Sequence, residues 1–257
     1  MGALSFWKYQ GTGNDFVMID NREGRFDPQD TDRVAALCDR RFGIGADGLI
    51  LIQNHPDHDF EMVYFNADGS QSLCGNGSRC AMMFAQQLGI IEDRASFLAY
   101  DGPHEAYIKE GRVYLLMHDV NPVQVVGQDA FADTGSPHHL VWVEDADVAP
   151  VVAQGRSIRE SETYAPGGTN VNFVEVDPDA GIRVRTYERG VEDETLSCGT
   201  GVTAAALAAS EKGLPSPIRV ETRGGQLEVS FTKRDDNGFT DVYLIGPAKA
   251  VFQGTVS

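Results

Sequence analysis

The chain has 257 residues and is 42% hydrophobic, so it can bury a large core in one big domain or two medium ones. Its net charge is −17 at pH 7 with no block of Lys or Arg, which argues against a nucleic acid or an anionic membrane as partner. Residues 1–9 lack the regions of a signal peptide, and no apolar run has the length of a membrane span. We therefore expect a cytoplasmic protein with free cysteines.

Short strand-like segments dominate the chain. They are rich in Val, Ile, Phe and Tyr and are separated by Gly, Asn, Asp and Pro. Strands are predicted at residues 4–9, 16–20, 49–53, 61–65, 95–100, 113–117, 139–143, 171–176, 182–187, 218–221, 227–231 and 242–245. Helices are predicted at 30–40, after Cys74, at 151–157 and after Cys198. Many short strands per long helix favour an antiparallel sheet around a central helix over a doubly wound parallel sheet.

Two of the predicted helices repeat one pattern. Cys74 and Cys198 each open a Cys-Gly-x-Gly run, and Gly89 and Gly213 follow at the same interval, since 89 − 74 and 213 − 198 are both 15. A glycine stop followed by an apolar residue is typical of a C-terminal αL cap. The repeat predicts two homologous domains, 1–118 and 119–246, with the active site in the cleft between them.

A thiol at a helix N-terminus lies where unpaired N–H donors and positive potential favour a thiolate and bind anions. One thiolate can remove a proton from a carbon while an opposed thiol returns one to the other face, which inverts a stereocentre without a cofactor. No lysine stands in an obvious pyridoxal phosphate context. The backbone N–H groups expected to hold a substrate carboxylate are those of Gly75, Asn76, Gly199 and Thr200.

The cysteines have other interpretations. Cys38 and Cys80 fit small buried hydrophobic residues, since both lie inside helical segments. For Cys74 and Cys198 a structural disulfide is one alternative, which an intracellular enzyme disfavours. A zinc site is another, but the cysteines and the histidines at 138–139 lack the paired short spacings of such sites, so no metal is expected.

Other polar residues have two interpretations each. Glu188 and Arg189 end a strand, where such neighbours commonly form a surface ion pair. In the functional interpretation Arg189 clamps a carboxylate and Glu188 accepts from an ammonium group. His138 belongs either to a solvated loop or to the site. Turn chemistry alone accounts for Asp68.

Short motifs extend in a fixed order over nearly the whole chain. They are GNDFV at 13–17, FGIGADG at 42–48, NADGS at 66–70, CGNGSRC at 74–80, GSPH at 135–138, TNVNF at 169–173, ERG at 188–190 and CGTG at 198–201. Together they resemble the diaminopimelate epimerase family, the cofactor-independent amino-acid epimerases of lysine and peptidoglycan-precursor biosynthesis.

The resemblance implies two pseudo-symmetric α/β domains, each an antiparallel sheet or barrel around a central helix, with a last strand at about 247–257 returning to the first domain. It implies interconversion of LL- and meso-diaminopimelate by proton transfer at one α-carbon, with Cys74 and Cys198 as the acid/base pair. A homodimer that closes over this small-molecule substrate is a further implication. The implied substrate contacts are His138 and Glu188 beside the reacting centre, Asn14, Asn66, Asn170 and Arg189 at the distal end, and the amides after each cysteine.

Two positions depart from the family's pattern. Ser136 stands where the family often has an asparagine, and Gly48 where some members have a glutamine. Both bear on substrate breadth rather than on the thiol pair.

Several rival functions remain open. Proline racemases and hydroxyproline epimerases also use two cysteines, but they typically have His where this chain has Asn76. Related isomerases that work without the cysteine pair are disfavoured by the presence of both thiols. A non-catalytic amino-acid-binding protein on the same scaffold and a thiol-redox protein are the alternatives from other classes.

Overall fold

The computed structural model describes residues 3–72 and 74–257, and the chain divides into two compact units. Unit 1 comprises Met1–Leu115 and Gly246–Ser257, and unit 2 comprises Leu116–Ile245. Across the two described ranges, no helix combines the length and the apolar character that a membrane crossing requires.

The described residues form seventeen strands and four helices. The strands are β1 (Leu4–Gly11), β2 (Asn14–Asp20), β3 (Gly48–Gln53), β4 (Phe60–Asn66), β5 (Arg94–Ala99), β6 (Gly102–Lys109), β7 (Arg112–Leu116), β8 (Gln124–Val126), β9 (Asp129–Asp133), β10 (Pro137–Val143), β11 (Asn170–Asp177), β12 (Gly181–Glu188), β13 (Asp193–Thr195), β14 (Ile218–Thr222), β15 (Gly225–Lys233), β16 (Phe239–Gly246) and β17 (Lys249–Val256). The helices are α1 (Thr31–Cys38), α2 (Gly75–Gln87), α3 (Val151–Arg159) and α4 (Gly199–Ser210).

The two units have the same strand order. In unit 1 the strands pair in the order β17, β1, β2, β3, β4, β5, β6, β7, and only the pairs β2–β3 and β4–β5 are parallel. In unit 2 the order is β8, β9, β10, β11, β12, β14, β15, β16, and the parallel pairs β10–β11 and β12–β14 fall at the same places. The predicted fold class is therefore confirmed, with two parallel pairs in each sheet that the sequence did not predict.

Each unit wraps its strands around one central helix. Helix α2 packs against β1, β2, β3, β4, β6 and β17, and α4 packs against β9, β10, β11, β12, β14 and β15. Because they are enclosed on several sides, both helices are buried over most of their length; α4 is largely apolar, whereas α2 also buries the polar Asn76, Ser78 and Arg79. In α4 five of the twelve residues are alanines, which favour a helix and let the strands approach its backbone closely.

The first and third helices lie at matching places too, between β2 and β3 and between β10 and β11. Helix α1 begins after Asp30, whose carboxylate accepts from Arg33 N at 3.0 Å, as expected of an N-cap. It ends at Cys38 and not at residue 40 as predicted, because the Asp39 side chain accepts from Arg41 N and Phe42 N, each at 2.7 Å, and turns the chain. Helix α3 extends two residues beyond the predicted 151–157, to Arg159.

Candidate active site

Cys74 is the N-cap of α2. Its backbone is extended (φ −141°, ψ 104°), its carbonyl accepts from Ser78 N at 2.8 Å, and its Sγ accepts from Gly77 N at 3.4 Å. The thiol therefore lies at the positive end of the helix, as the sequence predicted. The side chain is half-buried, so it remains accessible to a small molecule.

A hydrogen-bonded chain of amides surrounds Cys74 in unit 1. The Cys74 thiol donates to Asn14 Oδ1 at 3.5 Å, and Asn76 Nδ2 donates to the same oxygen at 3.4 Å. Asn14 Nδ2 in turn donates to Asp47 Oδ2 at 2.6 Å. On the other side, Arg79 Nη2 donates to Asn76 Oδ1 at 3.0 Å, and this guanidinium is fully buried. These contacts fix which way each amide points.

Cys198 is the N-cap of α4, with the same extended backbone (φ −114°, ψ 114°) and a carbonyl that accepts from Val202 N at 2.8 Å. Its neighbour is a hydroxyl rather than an amide, since Cys198 Sγ lies 3.4 Å from Thr200 Oγ1. Thr200 is held in turn by Thr134, whose Oγ1 donates to the Thr200 carbonyl at 2.9 Å.

The protonation of His138 follows from its partners. Asn172 Oδ1 accepts from Thr186 Oγ1 at 2.9 Å, so Asn172 Nδ2 is the atom that faces His138 Nδ1 at 3.1 Å and donates to it. The proton of the neutral ring is then on Nε2, which donates to Thr200 Oγ1 at 2.9 Å. Burial, assisted by the positive charge of Arg189, lowers the pKa of His138 to about 3, so the ring is neutral at physiological pH.

Gly201 allows this arrangement. A Cβ at this position would lie 2.4 Å from Asn172 Oδ1 and 3.3 Å from the His138 ring. The first turn of α4 therefore rests directly on the buried polar pair, and only a glycine fits there without displacing it.

Glu188 and Arg189 do not pair with each other in the described contacts. Arg189 is exposed, and its Nη1 donates to the carbonyls of Gly167 and Gly168 at 3.2 and 3.5 Å. In the described contacts the Arg189 guanidinium therefore bonds to neutral carbonyl oxygens and not to the Glu188 carboxylate. Burial raises the pKa of Glu188.

The predicted asparagines differ in their remaining hydrogen-bonding capacity. Asn170 Nδ2 donates both hydrogens, to Ser136 Oγ at 2.9 Å and to the Pro137 carbonyl at 3.0 Å, while its Oδ1 accepts from Arg189 N at 2.9 Å. It ties three segments of unit 2 together. Asn66 Nδ2 donates to Ser70 Oγ at 3.0 Å, which uses one of its two hydrogens.

The two departures from the family's pattern have structural partners. Ser136 accepts from Asn170, as just described, so its hydroxyl takes part in positioning that amide. Gly48 is excluded from carrying a side chain, because a Cβ would lie 2.4 Å from the Phe65 carbonyl and 2.6 Å from the Tyr64 ring.

The other two cysteines are core residues, as predicted. Burial raises the pKa of Cys38 to about 11 and raises the pKa of Cys80 even further, so neither is a nucleophile at physiological pH. All four cysteines lie in the described part of the chain and are free thiols. Within that same part, no cluster of three or more His, Cys, Asp or Glu is arranged to hold a metal ion.

Sequence reasoning missed three polar residues that organise these sites: Thr12, Arg79 and Asn172. A signal was present for two of them. Asn172 interrupts an otherwise apolar strand, and Arg79 lies inside a helix whose neighbouring residues are small or apolar. A polar residue at a position that the pattern buries must have a hydrogen-bond partner.

Comparison with known proteins identifies the family. A family model described as diaminopimelate epimerase matches residues 6–120 and 130–251. A diaminopimelate epimerase of Flavobacterium psychrophilum is 48% identical, over 98% of this chain and 100% of the relative. One from Aquifex aeolicus is 41% identical, over 99% of this chain and 98% of the relative.

Solved structures share the fold at low identity. A PhzF-family phenazine biosynthesis protein of Bacillus anthracis superimposes with a TM-score of 0.80 at 14% identity, over 100% of both chains. A probable proline racemase of Agrobacterium radiobacter gives a TM-score of 0.67 at 18% identity, over 99% of this chain and 93% of the other. With its family model matched over most of its length and relatives above 40% identity, the chain belongs to the diaminopimelate epimerase family and is an isomerase.

Proposed function

We propose that this protein interconverts LL- and meso-diaminopimelate by a cofactor-independent, two-base proton transfer at one α-carbon. Cys74 and Cys198 are the acid/base pair, and each serves one face of the α-carbon. The reaction serves lysine and peptidoglycan-precursor biosynthesis.

The observation that carries this proposal is that the two central helices, α2 and α4, begin in the same way. Each has a cysteine as its N-cap in an extended conformation, followed by a Gly-x-Gly turn, in two units of the same strand order. A cysteine that only fills the core has no reason to lie at a helix N-terminus or to recur at the same place in both units. Both features suit a pair of groups that exchange the roles of acid and base.

The proton transfer balances without an added oxidant or reductant. One thiolate Sγ takes the α-proton, and the electron pair left on the carbon is delocalised into the carboxylate as an enediolate-like species. The opposite thiol then gives its proton to the other face of the carbon, so thiol and thiolate have exchanged roles. The N–H groups of the first helical turns, at Gly75, Asn76, Gly199 and Thr200, stabilise the charge on the carboxylate.

The remaining residues bind and orient the substrate. Arg189 suits a distal carboxylate, since its guanidinium is exposed and bonded only to carbonyl oxygens among the described contacts. In the contacts of the described residues, Asn14 and Asn66 each use one side-chain N–H, and we assign the other to the same end of the substrate. Asn170 contributes by accepting from the backbone N–H of Arg189. His138 and Glu188 lie beside the reacting centre in this proposal.

The proposal includes a cytoplasmic homodimer whose domains close over the substrate. The support for both is the family resemblance, together with the free thiols, which suit a reducing compartment. Light scattering after size-exclusion chromatography tests the dimer, and a monomeric mass would contradict it.

The deciding experiment is proton NMR of LL-diaminopimelate in D2O with the reduced, purified protein and no added cofactor. We expect the α-proton signal to fall as the meso isomer appears with deuterium at one α-carbon. The matched control is L-proline under the same conditions, and it should not exchange. Exchange of proline in place of diaminopimelate would identify a proline-type racemase, and exchange of neither would favour a binding protein.

A further inference from the structure

The fully buried guanidinium of Arg79 has no carboxylate partner among the described residues. Its four contacts are to neutral oxygens: Thr12 Oγ1 at 3.1 Å, Asn76 Oδ1 at 3.0 Å, and the carbonyls of Gly75 and Pro247, each at 3.5 Å. Burial lowers its pKa to about 10, so it is still positively charged at neutral pH. A buried charge without a counter-charge is costly, and protein structures rarely retain one without a use for it.

The equivalent position in unit 2 carries no charge. Arg79 is five residues after Cys74, and the residue five after Cys198 is Thr203 (79 − 74 and 203 − 198). Thr203 is also fully buried, and its hydroxyl donates to the Gly199 carbonyl at 3.0 Å. The two helices therefore share a cysteine N-cap with an extended backbone and differ in the charge directly behind the first turn.

Several other charged groups around α2 have local partners of opposite charge. The titratable residues on the strands that pack against it are Lys8, Tyr9, Asp15, Asp20, Glu61, Tyr64, His104, Glu105, Tyr107, Lys109 and Lys249. Lys8 pairs with Asp15 at 2.7 Å, Asp15 also pairs with Arg40 at 2.6 Å, and Asp20 pairs with Arg22 at 2.7 Å. His104 pairs with Asp101.

The ionisable groups on and near α2 itself also provide no negative charge for Arg79 among the described contacts. Tyr9 and Cys80 have pKa values raised by burial and are neutral. Asp47 is linked to the Cys74 end through Asn14 but also pairs with Arg40 at 2.7 Å. Among the described residues on or around α2, Arg79 is the fully buried charged side chain that has no partner of opposite sign, whereas Glu61, Glu105, Lys109 and Lys249 are half-buried or exposed.

We propose that the buried guanidinium of Arg79 is the counter-charge that keeps Cys74 as the thiolate before substrate binds, whereas Cys198, beside the neutral Thr203, is the thiol. This inference rests on the proposed function, in which the two cysteines exchange one proton. It makes Arg79 a positioning residue: it touches neither substrate nor the reacting sulfur, and acts through its field and through Asn76.

The hydrogen-bonded chain supports this role. Arg79 holds Asn76 Oδ1, which turns Asn76 Nδ2 toward Asn14 Oδ1, the same oxygen that the Cys74 thiol contacts. When Cys74 loses its proton, the amide hydrogens of this chain and the Gly77 N–H are the donors that remain near the sulfur. A cation behind neutral donors stabilises an anion in front of them.

The test is the pH dependence of alkylation, measured separately for each cysteine. A short pulse of iodoacetamide is followed by denaturation, labelling with the heavy reagent and mass spectrometry of the two cysteine peptides. In the wild-type protein we expect the Cys74 midpoint to lie below the Cys198 midpoint. In Arg79→Met the Cys74 midpoint should rise by about one pH unit or more, with alkylation about tenfold slower at pH values below both midpoints.

Two variants serve as controls. Arg79→Lys keeps the charge and should keep the Cys74 midpoint close to that of the wild type. Thr203→Val alters the matching position in α4 without removing a charge and should leave the Cys74 midpoint where it was. A Cys74 midpoint that stays unchanged in a folded Arg79→Met protein overturns the inference.

If Arg79→Met does not fold, the wild-type comparison decides, since a Cys74 midpoint at or above that of Cys198 also overturns the inference. Failure of the inference and of the proposed function are distinguishable. A protein with the expected Cys74 titration that exchanges no α-proton refutes the function alone. Exchange without the expected titration refutes only the role of Arg79.

Discussion

The two central helices have the same place in their units but are stabilised differently. Around the N-terminus of α2, amides and a buried cation surround the thiol, through Asn14, Asn76 and Arg79. Around the N-terminus of α4, the hydrogen-bonding side chains are the neutral Thr200, His138 and Asn172, and the charge that acts on His138 is that of the exposed Arg189. The backbone of the repeat has been kept, whereas the side chains behind each thiol differ. In the proposed mechanism one group starts each turnover with the proton and the other without it, and the proposed role of Arg79 sets which of the two is the thiolate before substrate binds.

The largest expected effect comes from removing either thiol. Cys74→Ala and Cys198→Ala should each lower the epimerisation rate by about 1,000-fold or more, because each face of the carbon then lacks its acid or base. The measurement is the rate of meso-diaminopimelate formation, with Cys38→Ala as the control that should keep its activity, since Cys38 lies in the core of unit 1. Activity within about tenfold of wild type in either thiol variant, only ~1.4 kcal/mol of barrier, would refute the two-base mechanism.

The matched glycines of the two first turns offer a smaller but sharper comparison. Gly201→Ala should destabilise the protein by about 1–3 kcal/mol, since the new Cβ would lie 2.4 Å from Asn172 Oδ1 in a close-packed polar pair. Gly77→Ala should cost clearly less, because its Cβ would meet side-chain carbons of Ile50 at 3.1 Å and Met62 at 3.4 Å, which can move. Urea unfolding of both variants measures the difference, and equal losses would contradict the assigned role of Gly201.

The smallest expected effect is on the pH dependence of stability. His138 has a pKa of about 3 in the folded protein and an ordinary value near 6.5 when unfolded, so the unfolded chain binds more protons between these values. Stability is therefore highest above pH 6.5 and falls as the pH decreases toward 3, by about 1 kcal/mol at pH 5.5.

This dependence can be assigned by substitution. His138→Gln keeps an acceptor and a donor but removes the titration, so its urea midpoint should fall less than that of the wild type between neutral pH and about pH 5.5. Parallel curves for the two proteins would place the acid sensitivity elsewhere.

The sequence predicted the two central helices well because their signals are local. The cysteine, the glycines of the first turn and the stop glycines Gly89 and Gly213 all act within a few residues. Both stop glycines have positive φ, 70° and 97°, as an αL cap requires. Fold class followed from the number of short strands per helix and from the repeat.

The strands that went unpredicted lack such local signals. β8 and β13 have only three residues each. β17 is mostly exposed on both faces and has no apolar alternation, and only the family resemblance predicted it, at about 247–257. β6 and β9 mix charged or polar residues with small ones. These strands are specified by their pairing with distant parts of the chain, which a window of neighbouring residues does not contain.

The candidate site was predictable where a residue type itself suggests chemistry, as with the cysteines, His138 and Arg189. The supporting contacts were not. Nothing adjacent in sequence indicates that Asn170 donates both of its side-chain hydrogens to residues 136 and 137. Nor does it indicate that the Arg79 guanidinium has no carboxylate partner among the described residues. Both facts depend on which residues the fold brings together.

The strand β17 has a consequence for the order in which the protein can form on the ribosome. It pairs antiparallel with β1, near the start of the chain, yet it is synthesised only after every residue of unit 2. Unit 2 can therefore complete its sheet during translation while the edge of β1 that pairs with β17 is still unpaired. An open edge of this kind is where chains pair wrongly. A protein synthesised without residues 246–257 should accordingly aggregate through the unpaired edge of β1 in unit 1, while unit 2 is folded.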